Sequence, residues 1–207
     1  MDDESPKPNL NKITNDTRVA KSYEDFLYCT IENAGSLSLP FVRESHSSYD
    51  DIDELRRLDK LCQASLSNHV ANRASVRQGH SMLDTASQIC PSNDVVQTIQ
   101  NEVLSDNMPG HQAIVHGAVC AALGIDEVSA LTMFMYSVLK TVVAASVKLG
   151  KIGTMQGQKI QHRIKDIIPD VMFRNRNLST DDVHIRFPVV DICQNVHDTM
   201  FSKLFFS

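Results

Sequence analysis

The chain has 207 residues, a length at which one compact domain can bury its own core without disulfides or metals. Apolar residues make up 42% and charged residues 22%, which excludes a disordered or collagen-like chain, and only 8 glycines and 7 prolines argue against a turn-rich all-β architecture. The formal net charge of −5 leaves no basic excess to neutralise phosphates, so nucleic acid is not an expected partner.

Residues 1–21 are polar, carry Pro6 and Pro8, and show no periodicity; they read as a disordered leader ahead of a domain over 22–207. A first helix is expected to start at Ser22, with Asp25 completing a capping box, and to end at Gly35. Pro40 should bend or restart the chain. The clearest amphipathic helix follows Asp50 and Asp51, with Ile52, Leu55, Leu58, Cys62 and Leu66 on one face, acids first and bases later, and an Asp53–Arg57 pair at i,i+4. A helix over 68–89 is rich in small residues, so either it is poor or a neighbour comes close at Gly79. Short helices near 95–104 and 111–123 follow, the second closed by Gly124.

The longest element, 126–149, is apolar over most of its circumference and is expected in the middle of the bundle. Its Lys140 and hydroxyl side chains make a buried core helix a better reading than a membrane span. A helix over 154–168 should stop before Pro169, residues 170–186 read as irregular, and Pro188 opens a last helix with Val189, Ile192, Val196, Met200 and Leu204 on one face. No strand alternation of useful length occurs. The fold class is all-α, a single multi-helix bundle with a central apolar helix.

Chemistry finds little support. Gly150-Lys151 lacks the other glycine and the hydroxyl residue of a phosphate loop. His111 and His116 are five apart and diverge around a helix, so no metal site is expected. No serine sits in a nucleophile elbow; Cys120 with His116, at i,i+4, is the least unfavourable nucleophile pair. Five cysteines, evenly spread and odd in number, read as reduced thiols. The acidic opening Met1–Glu4 has no apolar h-region, so no secretory signal is expected and the location is cytoplasmic. Attention passes to the apolar end, where Phe201, Phe205 and Phe206 must pack on the chain itself or on a partner, and to the glycine- and glutamine-rich stretch 148–158, which either turns the chain or faces a partner.

Together these segments resemble the UreF family of urease accessory proteins in its plant-like form. Glu32-Asn33-Ala34-Gly35-Ser36-Leu37-Ser38-Leu39-Pro40-Phe41-Val42 is similar to the family's "ENxGSLLLPFV", and Leu58-Asp59-Lys60 through Gln78-Gly79 to its "LDK…LTNE…AS..QG". His116-Gly117 with Leu123-Gly124, the run from Ala144 to Gln158, and His197 with Lys203-Leu204-Phe205-Phe206-Ser207 follow in family order. The resemblance implies a non-enzymatic adaptor without cofactor or metal of its own. It implies binding of UreD (UreH in some organisms) and the GTPase UreG, delivery of nickel to apo-urease through that complex, and homodimers. The implied partner-binding residues are Lys148, Gly153, Gln156, Gly157, Gln158, His197, Phe201, Lys203, Leu204, Phe205 and Phe206. Lys148, Lys203 and Phe206 stand where arginines are usual, and the family's N-terminal "PTGGFxHSxGLE" segment has no counterpart, so the alternative is a truncated UreF-like binding module without maturation activity.

Overall fold

Helix boundaries follow local capping chemistry. In the structure, a computed structural model that describes residues 10–195 and side-chain surroundings over 22–194, the elements are α1 (Leu10–Leu37), α2 (Leu39–Ser47), α3 (Ile52–Ser65), α4 (His69–Ile89), α5 (Asp94–Leu104), α6 (Gln112–Ala122), α7 (Glu127–Lys148), α8 (Thr154–Ile164), a 3-10 turn (Lys165–Ile167), α9 (Ile168–Arg174) and α10 (Pro188–Asn195). The class is all-α, and no strand occurs among the described residues. Asp51, Asn68, Asn93 and Asp126 cap α3, α4, α5 and α7 by accepting from backbone amides of the first turn. Gly124 and Gly150 adopt left-handed φ of 75° and 65° just beyond α6 and α7. Behind Gly124 the amide of Ile125 reaches Cys120 O (2.9 Å), and behind Gly150 that of Lys151 reaches Ser146 O (3.1 Å), so both helices end in Schellman turns.

Several expectations are corrected. Helix α1 already runs at Leu10, so the start expected at Ser22 lies inside it; no Pro or Gly between Pro8 and Gly35 interrupts the helix. Gly35 is internal rather than a cap, because a β-carbon there would run into Val171 Cγ1 and lie 2.9 Å from Asn175 Nδ2 of the α9 region. Pro169 opens α9 instead of ending a helix, since a first-turn proline gives up an amide that needs no partner. On α3 the ion pairs are Arg57–Glu54 at 2.7 Å and Arg56–Asp53, both i,i+3, not Asp53–Arg57. The doubt over α4 resolves toward close approach: a β-carbon on Gly79 would collide with Gly110 O.

The central helix is α6, not α7. Ala113 through Cys120 are all buried, and α6 packs against α2 and α4 most extensively, then against α7, α5 and α3. Gly117 permits this, since any side chain there would strike Ser45 Oγ and Val42 O of α2. Helix α7 buries Ala130, Leu131, Phe134, Met135, Leu139, Val143 and Ser146, while Val128, Met133, Tyr136 and Leu149 are exposed. It is long and apolar enough to cross a membrane by length and composition, and a third of its most apolar window is buried in the body.

Asp59, buried on α3, locks α6 in place from outside. Its carboxylate accepts from the amides of Gly110 (2.6 Å) and His111 (2.9 Å), supplying a negative charge at the α6 N-terminus where His111 offers no side-chain cap. His111 in turn pairs with Gln63 Oε1 (2.6 Å) and Ser75 Oγ (3.1 Å).

Candidate functional site: the C-terminal helix and the basic hairpin

The segment that carries α10 is tied to α1 and α2 by side chains clustered in one short stretch of sequence. Pro40 has no amide hydrogen, so the Ser36 carbonyl one turn earlier has no helical donor. The His184 amide approaches that carbonyl at 3.4 Å, and Ser36 Oγ donates to His184 O at 2.8 Å. Asn33 pairs with the backbone of Phe187 in both directions: its Oδ1 accepts from the amide (2.8 Å) and its Nδ2 donates to the carbonyl (3.2 Å). Glu32, 1% exposed, takes Arg174 on one carboxylate oxygen and Arg186 (2.9 Å) on the other, joining α1, α9 and the segment before α10. Arg43 donates to Leu178 O (3.1 Å), and Glu44 accepts from the amide and hydroxyl of Thr180, each at 2.8 Å. From the other side Asn68 Nδ2 donates to Asp191 O at 2.8 Å.

Helix α10 therefore sits where the body holds it, with Val190, Asp191 and Gln194 walling a cavity of about 300 Å³ among α1, α4, α6 and α7. Its other side is bare: Val189 and Ile192 are 70% and 64% exposed. Of the expected face, Val196, Met200 and Leu204 lie outside the described residues, as do the expected partner-binding residues His197, Phe201, Lys203, Phe205 and Phe206.

The other expected site residues fall on the α7–α8 hairpin, but not in a loop. Lys148 ends α7, Gly153 is the exposed N-cap position of α8, and Gln156, Gly157 and Gln158 belong to its first turns. Lys148 and Gln158 are exposed and Gln156 half-buried. Gly157 is a packing residue: a β-carbon would lie 2.9 Å from Val147 Cγ2 and 3.2 Å from Val143 Cγ1 of α7, so only glycine lets the two helices close. A signal passed over in the sequence lies here. Residues 128–165 contain no Asp or Glu and carry Lys140, Lys148, Lys151, Lys159, Arg163 and Lys165, in a chain that is acidic as a whole. Lys140, Lys148, Lys151 and Lys159 are exposed, as are Leu149 and Met155, and Arg163 is paired with Glu24 of α1.

Cys120 and His116 do meet, at 3.6 Å, inside the body. Burial raises the thiol's pKa, and burial ahead of the other causes lowers the imidazole's, so both are held neutral. The imidazole is engaged with Ala130 O (2.9 Å). A thiolate nucleophile needs the opposite on both counts. Among the described residues, no three His, Cys, Asp or Glu side chains come together as a metal-holding group.

Residues 17–165 match the family model described as UreF. "Urease accessory protein F" of Arabidopsis thaliana is 30% identical over 195 residues, covering 92% of this chain and 81% of that protein. The protein of the same name from Oryza sativa subsp. japonica is 28% identical over 181 residues, 87% and 69% of the two chains. An "Uncharacterized urease accessory protein UreF-like" of Schizosaccharomyces pombe is 24% identical over 200 residues, 91% and 83% of the two chains. These likenesses place the chain in the class of urease accessory proteins. Within that class it belongs to the UreF family.

Proposed function

We propose that this chain is a non-catalytic adaptor in urease maturation, bridging a UreD-type (UreH-type) accessory protein and the UreG GTPase so that nickel reaches apo-urease. The C-terminal helix with the segment after it grips the UreD-type protein. The acid-free hairpin, with Lys148 at its turn, seats the GTPase. The exposed apolar side of α7, with Met133 and Tyr136, suits contact between two copies of the chain, and the setting is cytoplasmic.

The observation that carries this reading is α10: an apolar face left outward while polar side chains of α1 and α4 hold the helix in place. Exposed apolar residues held in fixed positions are the kind of surface a partner covers. The hairpin adds a second, positively charged surface, which favours an acidic partner and fast encounter.

Co-expression with the UreD-type and UreG proteins of the same organism tests it. Affinity copurification should recover all three, removal of residues 201–207 should weaken recovery of the UreD-type protein, and the chain should restore urease activity to cells lacking their own UreF. Copurification without restored activity, in well-expressing cells, would instead identify a binding module without maturation activity. Failure to recover either partner would end the adaptor reading.

A further inference from the structure

Two arginines share the one carboxylate of Glu32, which leaves a cation in excess where α1 and α9 meet. Arg174 takes one carboxylate oxygen and Arg186 the other (2.9 Å), and Arg186 also donates to Asn175 Oδ1 at 3.4 Å. Glu32 is buried, whereas the side chains of Arg174 and Arg186 are partly open to solvent. A guanidinium carries five N–H donors, more than a carboxylate divided between two of them can accept from. Aromatic side chains stand close by. Tyr28, 42% exposed, lies against Glu32: hydrogen bonding to that carboxylate, ahead of its charge and of burial, raises the phenol's pKa. Phe173, next to Arg174 in the chain, is 64% exposed, and the guanidinium of Arg176 lies 3.9 Å from its ring centroid. Arginine and tyrosine in accessible, fixed positions are the side chains on which binding energy concentrates when proteins meet.

The charges also select the ligand. A planar fork suits a carboxylate, which it binds through paired, charge-assisted hydrogen bonds. Asp170, Asp181 and Asp182 are exposed on α9 and on the segment that follows it, and they repel a long polyanion. A single acidic side chain therefore fits where a nucleic acid or an anionic lipid surface does not. We propose that Arg174 and Arg186 form a docking point for an aspartate or glutamate side chain of the UreD-type protein. Arg186 stands just ahead of Pro188, which opens α10, so the contact continues, and rests on, the surface that the adaptor reading gives to that protein. Glu32 then acts twice: it fixes where the arginines stand and leaves one positive charge for the partner.

Lysine separates the contact from the scaffold, since it keeps a cation for Glu32 and loses the fork. In the full chain, Arg174→Lys with Arg186→Lys should weaken binding of the UreD-type protein by about ten-fold, while affinity still falls with salt as steeply as in the parent. Arg174→Gln removes the excess charge while Arg186 still pairs with Glu32, and should weaken binding with a shallower salt dependence. Proteolysis across 176–187 should keep its wild-type rate in the double lysine variant, and affinity for the GTPase should change in neither. Wild-type affinity for the UreD-type protein in both variants would overturn the docking point and leave the adaptor reading standing. Two other results would overturn it as well: a loss in the lysine variant that comes with faster cleavage, which marks a scaffold effect, or a loss confined to the GTPase. Failure of the wild-type chain to bind the UreD-type protein would overturn the adaptor reading, and the docking point with it.

Discussion

Glu32 is a buried charge held by two arginines, and Glu32→Gln isolates what that charge contributes. Its carboxylate is shielded from solvent, but the side chains of its two arginines keep 44% and 35% of their exposure, so water can replace part of what they lose. Glutamine keeps the shape and one acceptor. The carbonyl oxygen can still take one arginine, whereas the NH2 faces the other guanidinium as donor to donor, so one charge-assisted hydrogen bond worth about 1.5–3 kcal/mol is lost and a loss of roughly 2 kcal/mol is predicted. Glu32→Ala also removes packing and strands both guanidinium groups, for about 3–5 kcal/mol. Arg174→Ala and Arg186→Ala should each cost less than the pair together, because only the double variant leaves a buried carboxylate without a cation. Urea melts at neutral pH measure the totals, and proteolysis across 176–187 reports the local effect. If Glu32→Gln unfolds within about 0.5 kcal/mol of wild type, or its cleavage is unchanged, Glu32 does not anchor the C-terminal segment.

Acid should destabilise the body through His111, whose pKa is held down to about 4, from an ordinary 6.5, first by burial and then by the charge of His80. Its contribution is complete above pH 6.5 and is lost as pH falls toward 4, by at most roughly 3 kcal/mol; Asp59, pushed up by burial, offsets part of that. Urea melts stepped between pH 7 and 4 should show a flatter acid limb for His111→Gln, and an unchanged slope would remove His111 as the cause. Iodoacetamide on the native chain should label exposed Cys193 first, Cys29 and Cys90 more slowly, and Cys62 and Cys120 only on unfolding, as peptide mass spectrometry would show. Labelling of Cys120 as fast as Cys193 would revive a nucleophilic role. Lys151→Glu with Lys159→Glu should lower GTPase affinity by about ten-fold at low salt and by much less at roughly 0.5 M. A loss independent of salt, read by biolayer interferometry, would show that the hairpin does not act through charge.

What could be read from the sequence was what local chemistry determines. The openings of α3 after Asp51 and of α7 at Asp126, the left-handed turn at Gly124 and the opening of α10 by Pro188 each follow from a residue and its near neighbours. Centrality could not be read this way. The sequence of α7 is apolar nearly all round, yet α6 is the shielded helix, because Gly117 brings α2 onto it and α4 closes the other side. Hydrophobicity says that a helix can be buried, whereas the side chain missing from its own contact face decides which one is.

The stretch Glu32–Val42 shows why the site was harder to see than the fold. Read locally it is a helix end with a proline, and each of its polar residues looks like an ordinary helix-surface group. Their partners lie far along the chain: Glu32 meets Arg174 and Arg186, Asn33 meets Phe187, and Ser36 meets His184. Even the proline matters at a distance, because the amide it lacks leaves the Ser36 carbonyl open to the returning chain. The resemblance that identified this stretch therefore marked a docking platform rather than a contact surface. The residues that hold the returning segment and those it leaves exposed are separate sets, and only the second, Val189 and Ile192, show themselves by apolar composition.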